Sequence, residues 1–174
     1  MATSKFPTIQ YTSENFIESA GCIPFKLSTR QICLIHHKKR NEWLLAKGRR
    51  DIGESREKTA IREVEEETGF KCHLLPVTMT TRQPRPGFDD HDGAGKQDGL
   101  CEPFMVTHRV IGEGQLKVIW WYIAAIDEKA EVGKGEDEFE ARLFGFEEAQ
   151  DTLTFLSDRQ VVAKAIEVFR DTYR

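Results

Sequence analysis

Apolar residues along this chain follow two rhythms, a period of two that marks strands and a period of three to four that marks helices. Clustered or alternating apolar residues predict strands at 17–24, 31–36 and 42–46. Strand character resumes at 71–81 and again at 104–110. Residues 116–126, Leu-Lys-Val-Ile-Trp-Trp-Tyr-Ile-Ala-Ala-Ile, carry the strongest strand signal. A last strand is expected at 141–146, before Glu147-Glu148-Ala149 opens a helix. Val161, Val162, Ala165, Ile166 and Phe169 recur at helical spacing and predict a closing amphipathic helix over 158–169. Pro84, Pro86, Gly87, Gly93, Gly95 and Gly99 interrupt every period between 83 and 102, so that stretch reads as a long loop or insertion. Residues 130–137 form another polar, glycine-containing link. Strands and helices are mixed, and the strand-to-strand links look like hairpins; no internal repeat is evident.

One predicted helix differs from the rest. Between Gly48 and Phe70, five carboxylates (Glu54, Glu63, Glu65, Glu66 and Glu67) fall within a few turns. Glu63, Glu66 and Glu67 are spaced to share a face, while Ala60, Ile61, Val64 and Thr68 lie mainly to another side at core-facing spacing. Ser55 is the expected N-cap and Gly69 the expected left-handed residue after the last turn. Like charges this dense repel one another on an isolated helix. Two readings follow: a solvated acidic face, or a seam neutralised by a cation. Mg²⁺ favours oxygen ligands and is commonly shared between carboxylates and substrate phosphates, so the second reading is a metal-dependent phosphate site.

The order of residues is more specific than the charge. Gly48 is followed by Glu54, then Arg62-Glu63, Val64, Glu66-Glu67 and Gly69-Phe70, a pattern over residues 48–70 that resembles the Nudix box with each defining position filled. The resemblance implies an α/β (α+β) fold, a Nudix-type α/β/α sandwich around a mixed β-sheet. It implies a phosphoanhydride hydrolase that uses Mg²⁺ or Mn²⁺ and directs water onto phosphorus. On that pattern Glu66 and Glu67 match the principal metal-binding glutamates, and Glu63 matches a further ligand or general base. Arg62 matches the arginine that orients these glutamates, Gly48 the loop glycine whose carbonyl reaches a metal, and Glu54 an auxiliary partner. Some members take the base from a later loop, for which Glu136, Glu138 and Glu140 are candidates. The residue types suit the chemistry. Metal ions bridge phosphate oxygens and lower the pKa of a bound water, and a carboxylate then takes its proton.

Bulk properties narrow the class. A length of 174 residues favours one domain over 1–174. Apolar content of 39% and charged content of 31% describe a globular protein. A net charge of −4 argues against a general nucleic-acid surface. The start, Met-Ala-Thr-Ser-Lys-Phe-Pro, lacks an apolar signal core, and the longest apolar run, 118–126, is about half a membrane span. A cytoplasmic location, shared with the nucleus, is the expectation, with no membrane partner; a secretion signal removed beforehand is the alternative. Cys22, Cys33, Cys72 and Cys101 show no zinc-ligand spacing and read as ordinary buried thiols. His36-His37 sits beside Lys38, Lys39 and Arg40, which would repel a cation.

Basic residues are the candidates for holding a phosphorylated small molecule. Lys47, Arg49 and Arg50 flank Gly48; Lys38, Lys39 and Arg40 precede them; Arg82, Arg85, His108, Arg109 and Lys117 follow. The substrate set is Lys38, Arg40, Lys47, Arg49, Arg50, Arg82 and Lys117, the alternative for any one being a solvated basic surface. Lys117-Val118-Ile119-Trp120-Trp121-Tyr122 and the late Glu138-Phe139-Glu140 resemble segments of asymmetrical diadenosine tetraphosphate hydrolases. The Lys47-Gly48-Arg49-Arg50 run suits diphosphoinositol polyphosphate phosphohydrolases. The chain departs from both at Ala46, where a proline is common, and in the 83–102 insertion. Trp120 and Tyr122 share one strand face and Trp121 takes the other; these, with Phe104 and Phe88, are candidates to stack on a base. Two other functions compete: a non-catalytic phosphate-ligand sensor, disfavoured by the retained glutamates, and an RNA cap or RNA-end hydrolase, disfavoured by the negative net charge.

Overall fold

The computed structural model describes residues 4–87 and 93–173. In chain order the elements are β1 (Phe16–Lys26), β2 (Gln31–His37), β3 (Glu42–Leu44), β4 (Lys47–Arg49), α1 (Arg56–Thr68), β5 (Cys72–Leu74), β6 (Val77–Thr81), β7 (Gly95–Leu100), β8 (Met105–Gly112), β9 (Gln115–Ile126), β10 (Phe139–Gly145), α2 (Phe146–Thr152) and α3 (Leu156–Thr172). The main sheet runs β10-β2-β1-β9-β5, with β3 on β2, β4 on β1 and β8 on β9. Its centre is a long parallel pairing of β1 and β9, from Phe16 with Leu116 to Phe25 with Ala125. The other pairings are antiparallel, so the sheet is mixed as expected, but its central pair is a crossover and not a hairpin.

Alternation along β1 and β9 divides the core. Ala20, Cys22, Tyr122 and Ala124 face α1, where Ala60 and Val64 close a small cluster. Ile23, Phe25, Ile119, Trp121 and Ile123 face α2 and α3 in the larger cluster. Phe25 stacks on Phe169 at 4.5 Å, and Phe146 meets both edge-on. Helices thus cover both faces of the sheet, α1 on one and α2 with α3 on the other.

Several boundaries differ from the sequence reading, four of them for a visible reason. The expected strand 42–46 ends at Leu44, and the chain crosses from β2 to β1 through the buried Leu45 and Ala46 before β4 begins. The single run 71–81 is two strands, because Pro76 cannot donate to a ladder and the halves pair with different partners, β5 with β9 and β6 with β7. The region expected as a loop contains β7. Its residues are largely exposed, so pairing with β6 makes the strand without an apolar signal. The last strand begins at Phe139, two residues early, because Phe139 and Glu140 pair with His37 and His36. Phe88 lies outside the described residues. Among the described residues no helix is long and apolar enough to cross a membrane. The four cysteines are free thiols; Cys22 and Cys33 are buried, but Cys101 is exposed, unlike the expectation.

Candidate active site

Helix α1 starts and stops where its caps dictate. The Ser55 hydroxyl accepts from the Lys58 N–H at 3.3 Å, and Gly69, at φ 77°, donates its N–H to the Glu65 carbonyl. With Ala60 and Val64 fixed against the sheet, the helical period turns Arg62, Glu63, Glu66 and Glu67 toward β4 and the 133–138 link. That link is held to the end of α1: Gly133 N–H donates to the Gly69 carbonyl and Glu136 N–H to the Glu66 carbonyl, both at 2.8 Å.

Arg62 organises the acidic seam. Its Nε donates to Glu54 at 2.9 Å, one terminal nitrogen to Glu63 at 2.7 Å and Glu66 at 2.8 Å, and the other to Glu54 and the Arg49 carbonyl at 3.0 Å. The Arg62 bonds, with help from the Thr59 hydroxyl and Asp51 N–H, hold the Glu54 carboxyl down at about 2. The Glu54 bonds in turn raise the Arg62 guanidinium further above its ordinary value, so the cation is permanent. Glu54 therefore works as the anchor of Arg62.

Glu63 and Glu67 behave differently. Burial raises Glu63, opposed by Arg62 and reinforced by the charges of Glu66 and Glu136. Glu67 is 9% exposed, and burial pushes its carboxyl up to about 8. The Lys47 charge and the Lys47 N–H, which donates to it at 2.8 Å, lower it; Glu63 and Glu136 raise it again. Glu63, Glu67 and Glu136 thus form a convergence of carboxyl groups that disfavours charge on Glu67. Gly48 lies within β4, not in a loop, and is needed there for space. A Cβ on Gly48 would stand 1.9 Å from Glu63 Oε2.

The donor set is hard oxygen throughout, which suits Mg²⁺ or Mn²⁺. No three His, Cys, Asp or Glu side chains among the described residues stand in ready-made ligand positions, because Arg62 holds Glu63 and Glu66. A cation at this seam would compete with Arg62 for those two carboxylates.

Beside the seam, on the sheet face that carries α3, lies a basic group. Burial lowers the Lys117 ammonium, and the positive charges of Lys47, Arg109 and Arg49 lower it further, while Glu63 opposes them. Register explains the meeting: Arg109 pairs with Lys117, Lys47 with Gly21 and Arg49 with Ser19. Asp158, 5% exposed in the first turn of α3, is raised by burial and lowered by Lys47, the Ser157 hydroxyl and Arg109.

The other sequence-derived candidates are engaged elsewhere. Arg50 pairs with Glu18 at 3.0 Å and donates to the Glu54 carbonyl. Arg40 pairs with Glu42, and Lys38 donates to the Asp137 carbonyl. Arg82 lines a separate cavity together with Phe104, Trp120 and Tyr122, while Trp121 is core. Among the late acids, Glu138 approaches His37 at 3.6 Å and Glu140 pairs with Arg142, which leaves Glu136 facing the seam. Sequence reasoning missed Glu18 and Asp158. An acid at the start of a helix passes for an ordinary partner of the helix dipole, and only burial beside Lys47 and Arg109 distinguishes Asp158.

The NUDIX domain family matches residues 16–165. No curated protein sequence matches the chain. Among solved structures, a NUDIX hydrolase from Nitrosomonas europaea superposes with a TM-score of 0.59 at 14% identity, covering 90% of this chain and 91% of its own. The C. elegans Ap4A hydrolase superposes with a TM-score of 0.58 at 15% identity, covering 87% and 97%. The E. coli dihydroneopterin triphosphate pyrophosphohydrolase gives 0.52 at 14% identity, covering 86% and 95%. At these identities the likeness is one of fold.

Proposed function

Since this chain belongs to the NUDIX domain family of hydrolases, we propose that it hydrolyses a phosphoanhydride in a highly phosphorylated small molecule, a diphosphoinositol polyphosphate or a dinucleoside polyphosphate, with Mg²⁺ or Mn²⁺. The observation that carries the reading is the meeting of two opposite charge groups. The carboxyl groups of Glu63, Glu67 and Glu136 stand next to Lys47, Arg49, Arg109 and Lys117. An anionic chain of phosphates suits the basic side, and a divalent cation between the two suits the acidic side.

In this reading Glu63, Glu66 and Glu67, with the Gly48 carbonyl, hold the metal, which when bound supplies Lewis-acid activation of water and charge neutralisation on phosphate. Arg62 presents Glu63 and Glu66 and is itself fixed by Glu54. Lys47, Arg49 and Lys117 bind phosphate oxygens. Burial and then the neighbouring cations lower the Lys117 ammonium, and an incoming phosphate offsets the repulsion. Glu136 is our candidate for accepting the proton of the attacking water, because it adds its charge to both Glu63 and Glu67. Lys38, Arg40 and Arg50 are left out of the substrate set on account of their other partners.

The test is a substrate panel with Mg²⁺ or Mn²⁺: inositol pyrophosphates, diadenosine polyphosphates, nucleotide sugars and capped RNA, compared by kcat/KM. Turnover confined to the first two classes, lost on adding a chelator, is expected. Turnover of capped RNA alone, or none of any substrate, refutes the proposal.

A further inference from the structure

The turn that leads from β4 into α1 lies open to solvent. Asp51, Ile52 and Gly53 are all exposed, and Gly53 bends the chain at φ 82°. The one apolar side chain of this turn, Ile52, is fully exposed, so packing does not place it and hydrogen bonds must. Arg50 ties the turn to the sheet, and Arg50 is itself held by Glu18, a residue of β1 outside the 48–70 pattern.

Glu18 grips both ends of this connection. Its carbonyl accepts the Arg50 N–H at 3.0 Å, and its Oε2 accepts Arg50 Nε at 3.0 Å. Its Oε1 meets Arg56, the first residue of α1, at 2.7 and 2.9 Å, and the Trp120 indole N–H at 3.1 Å. Burial opposes charge on Glu18, but the bonds from Arg56, Trp120 and Arg50 outweigh it and hold the carboxyl below its ordinary value. With Nε fixed, the plane of the Arg50 guanidinium is fixed too. One of its terminal nitrogens then donates to the Glu54 carbonyl at 2.9 Å and the Asp51 carbonyl at 3.3 Å.

From Glu54 the bonds run into the seam. Its carboxylate takes two Arg62 nitrogens, at 2.9 and 3.0 Å, and Arg62 holds Glu63 at 2.7 Å and Glu66 at 2.8 Å. A two-point fit of this kind tolerates little displacement of Glu54. The Thr59 hydroxyl steadies one Glu54 oxygen at 2.7 Å, but the main chain that carries the side chain is placed by Arg50. We propose that Glu18 is a positioning residue for the seam. Through Arg50, Glu54 and Arg62 it sets where Glu63 and Glu66 present their carboxylates, and it touches neither substrate nor metal. Its effect on turnover rests on the hydrolase reading above; its effect on Arg62 does not.

The test compares Glu18→Ala, Arg50→Ala and the double variant in the full chain. With Mg²⁺ and the polyphosphate that the parent turns over, kcat should fall about tenfold in each single variant, the lower end for a residue behind metal ligands. KM should stay within about twofold. Residues of one path are not additive, so the double variant should fall no further than the weaker single one. In EDTA, the Arg62 Nε–H signal of ¹⁵N-labelled protein, assigned by its loss in Arg62→Lys, should shift in both single variants. The two substitutions change net charge in opposite directions, so a fall in kcat common to both is not an effect of charge. Arg50→Ala keeps the test valid if Glu18→Ala does not fold. A KM that rises in Arg50→Ala and falls in Glu18→Ala assigns Arg50 to phosphate and overturns the proposal. Unchanged kcat, additive losses in the double variant, or an Arg62 signal that stays in place also overturn it. A parent without turnover refutes the hydrolase reading alone, and the Arg62 signal then decides whether Glu18 positions the seam.

Discussion

Glu67→Gln should make the metal-free protein more stable while removing its chemistry. An ordinary glutamate titrates at 4.5, and Glu67 in the fold at about 8. The folded state therefore favours the protonated acid. Its contribution to stability is full below the unfolded value and is lost as pH rises toward the folded one. At about 1.4 kcal/mol per pH unit, the penalty above pH 8 reaches about 5 kcal/mol, an upper bound because water entry and relaxation reduce it. Glutamine cannot ionise. Its side-chain oxygen still accepts the Lys47 N–H that now meets Glu67 at 2.8 Å, and its amide can donate toward Glu63 or Glu136, the acids that raise Glu67. For a chain of this size, about 2–4 °C per kcal/mol translates the bound into a rise in Tm of at most about 10–20 °C near pH 8.5, and little change near pH 5. Thermal unfolding in EDTA across that pH range is the assay, with turnover in Mg²⁺ measured beside it. A Glu67→Gln protein less stable than the parent near pH 8.5 without metal would refute the account of Glu67 as a buried charge awaiting a cation.

The site makes further predictions. Gly48→Ala should fold but displace the Glu63 carboxylate, whose Oε2 stands 1.9 Å from where the new Cβ would be; kcat falls about tenfold or more with KM little changed, as for loss of a group that acts in the transition state. Lys117→Ala should raise KM for a polyphosphate about tenfold, the worth of one charge-assisted bond, and a lysine-to-arginine change should recover part of it, both read from steady-state kinetics.

Legibility followed how local each cause is. The box helix could be read in full because its apolar and acidic seams lie within its own 13 residues and its caps, Ser55 and Gly69, directly flank them. Strands β1, β2 and β9 were legible because burial on both faces leaves dense apolar runs. The break at Leu45-Ala46 was not, since a change of pairing partner leaves no mark on the period. Nor was β7, whose Gly-Lys-Gln-Asp-Gly-Leu gains order only from β6. The basic candidates show the same limit in the site. Composition marks Lys38, Arg40 and Arg50 as positive, but whether a charge is available depends on Asp137, Glu42 and Glu18, which the fold brings from elsewhere. Glu18 is the clearest case: an acid in an otherwise apolar strand, it fixes Arg50 and Arg56 from 32 and 38 residues away.

The seam divides its charges between two duties. Arg62 satisfies Glu54, Glu63 and Glu66 without metal, which lets the helix fold with its carboxylates already oriented. Glu67 receives nothing from Arg62, only the Lys47 N–H and its more distant charge, and so it carries a proton that a bound cation must displace. Affinity for metal is thereby coupled to pH through one residue. Below the folded value of about 8, each lower pH unit should weaken Mg²⁺ or Mn²⁺ binding by about tenfold, down to the lower pKa that Glu67 has with the ion bound, and one proton should be released per ion bound. Calorimetry in buffers of different ionisation enthalpy measures that proton directly. In Glu67→Gln the released proton should vanish along with most of the affinity. Proton release unaltered by that substitution would move the coupled acid to Glu63, the other carboxylate that burial raises.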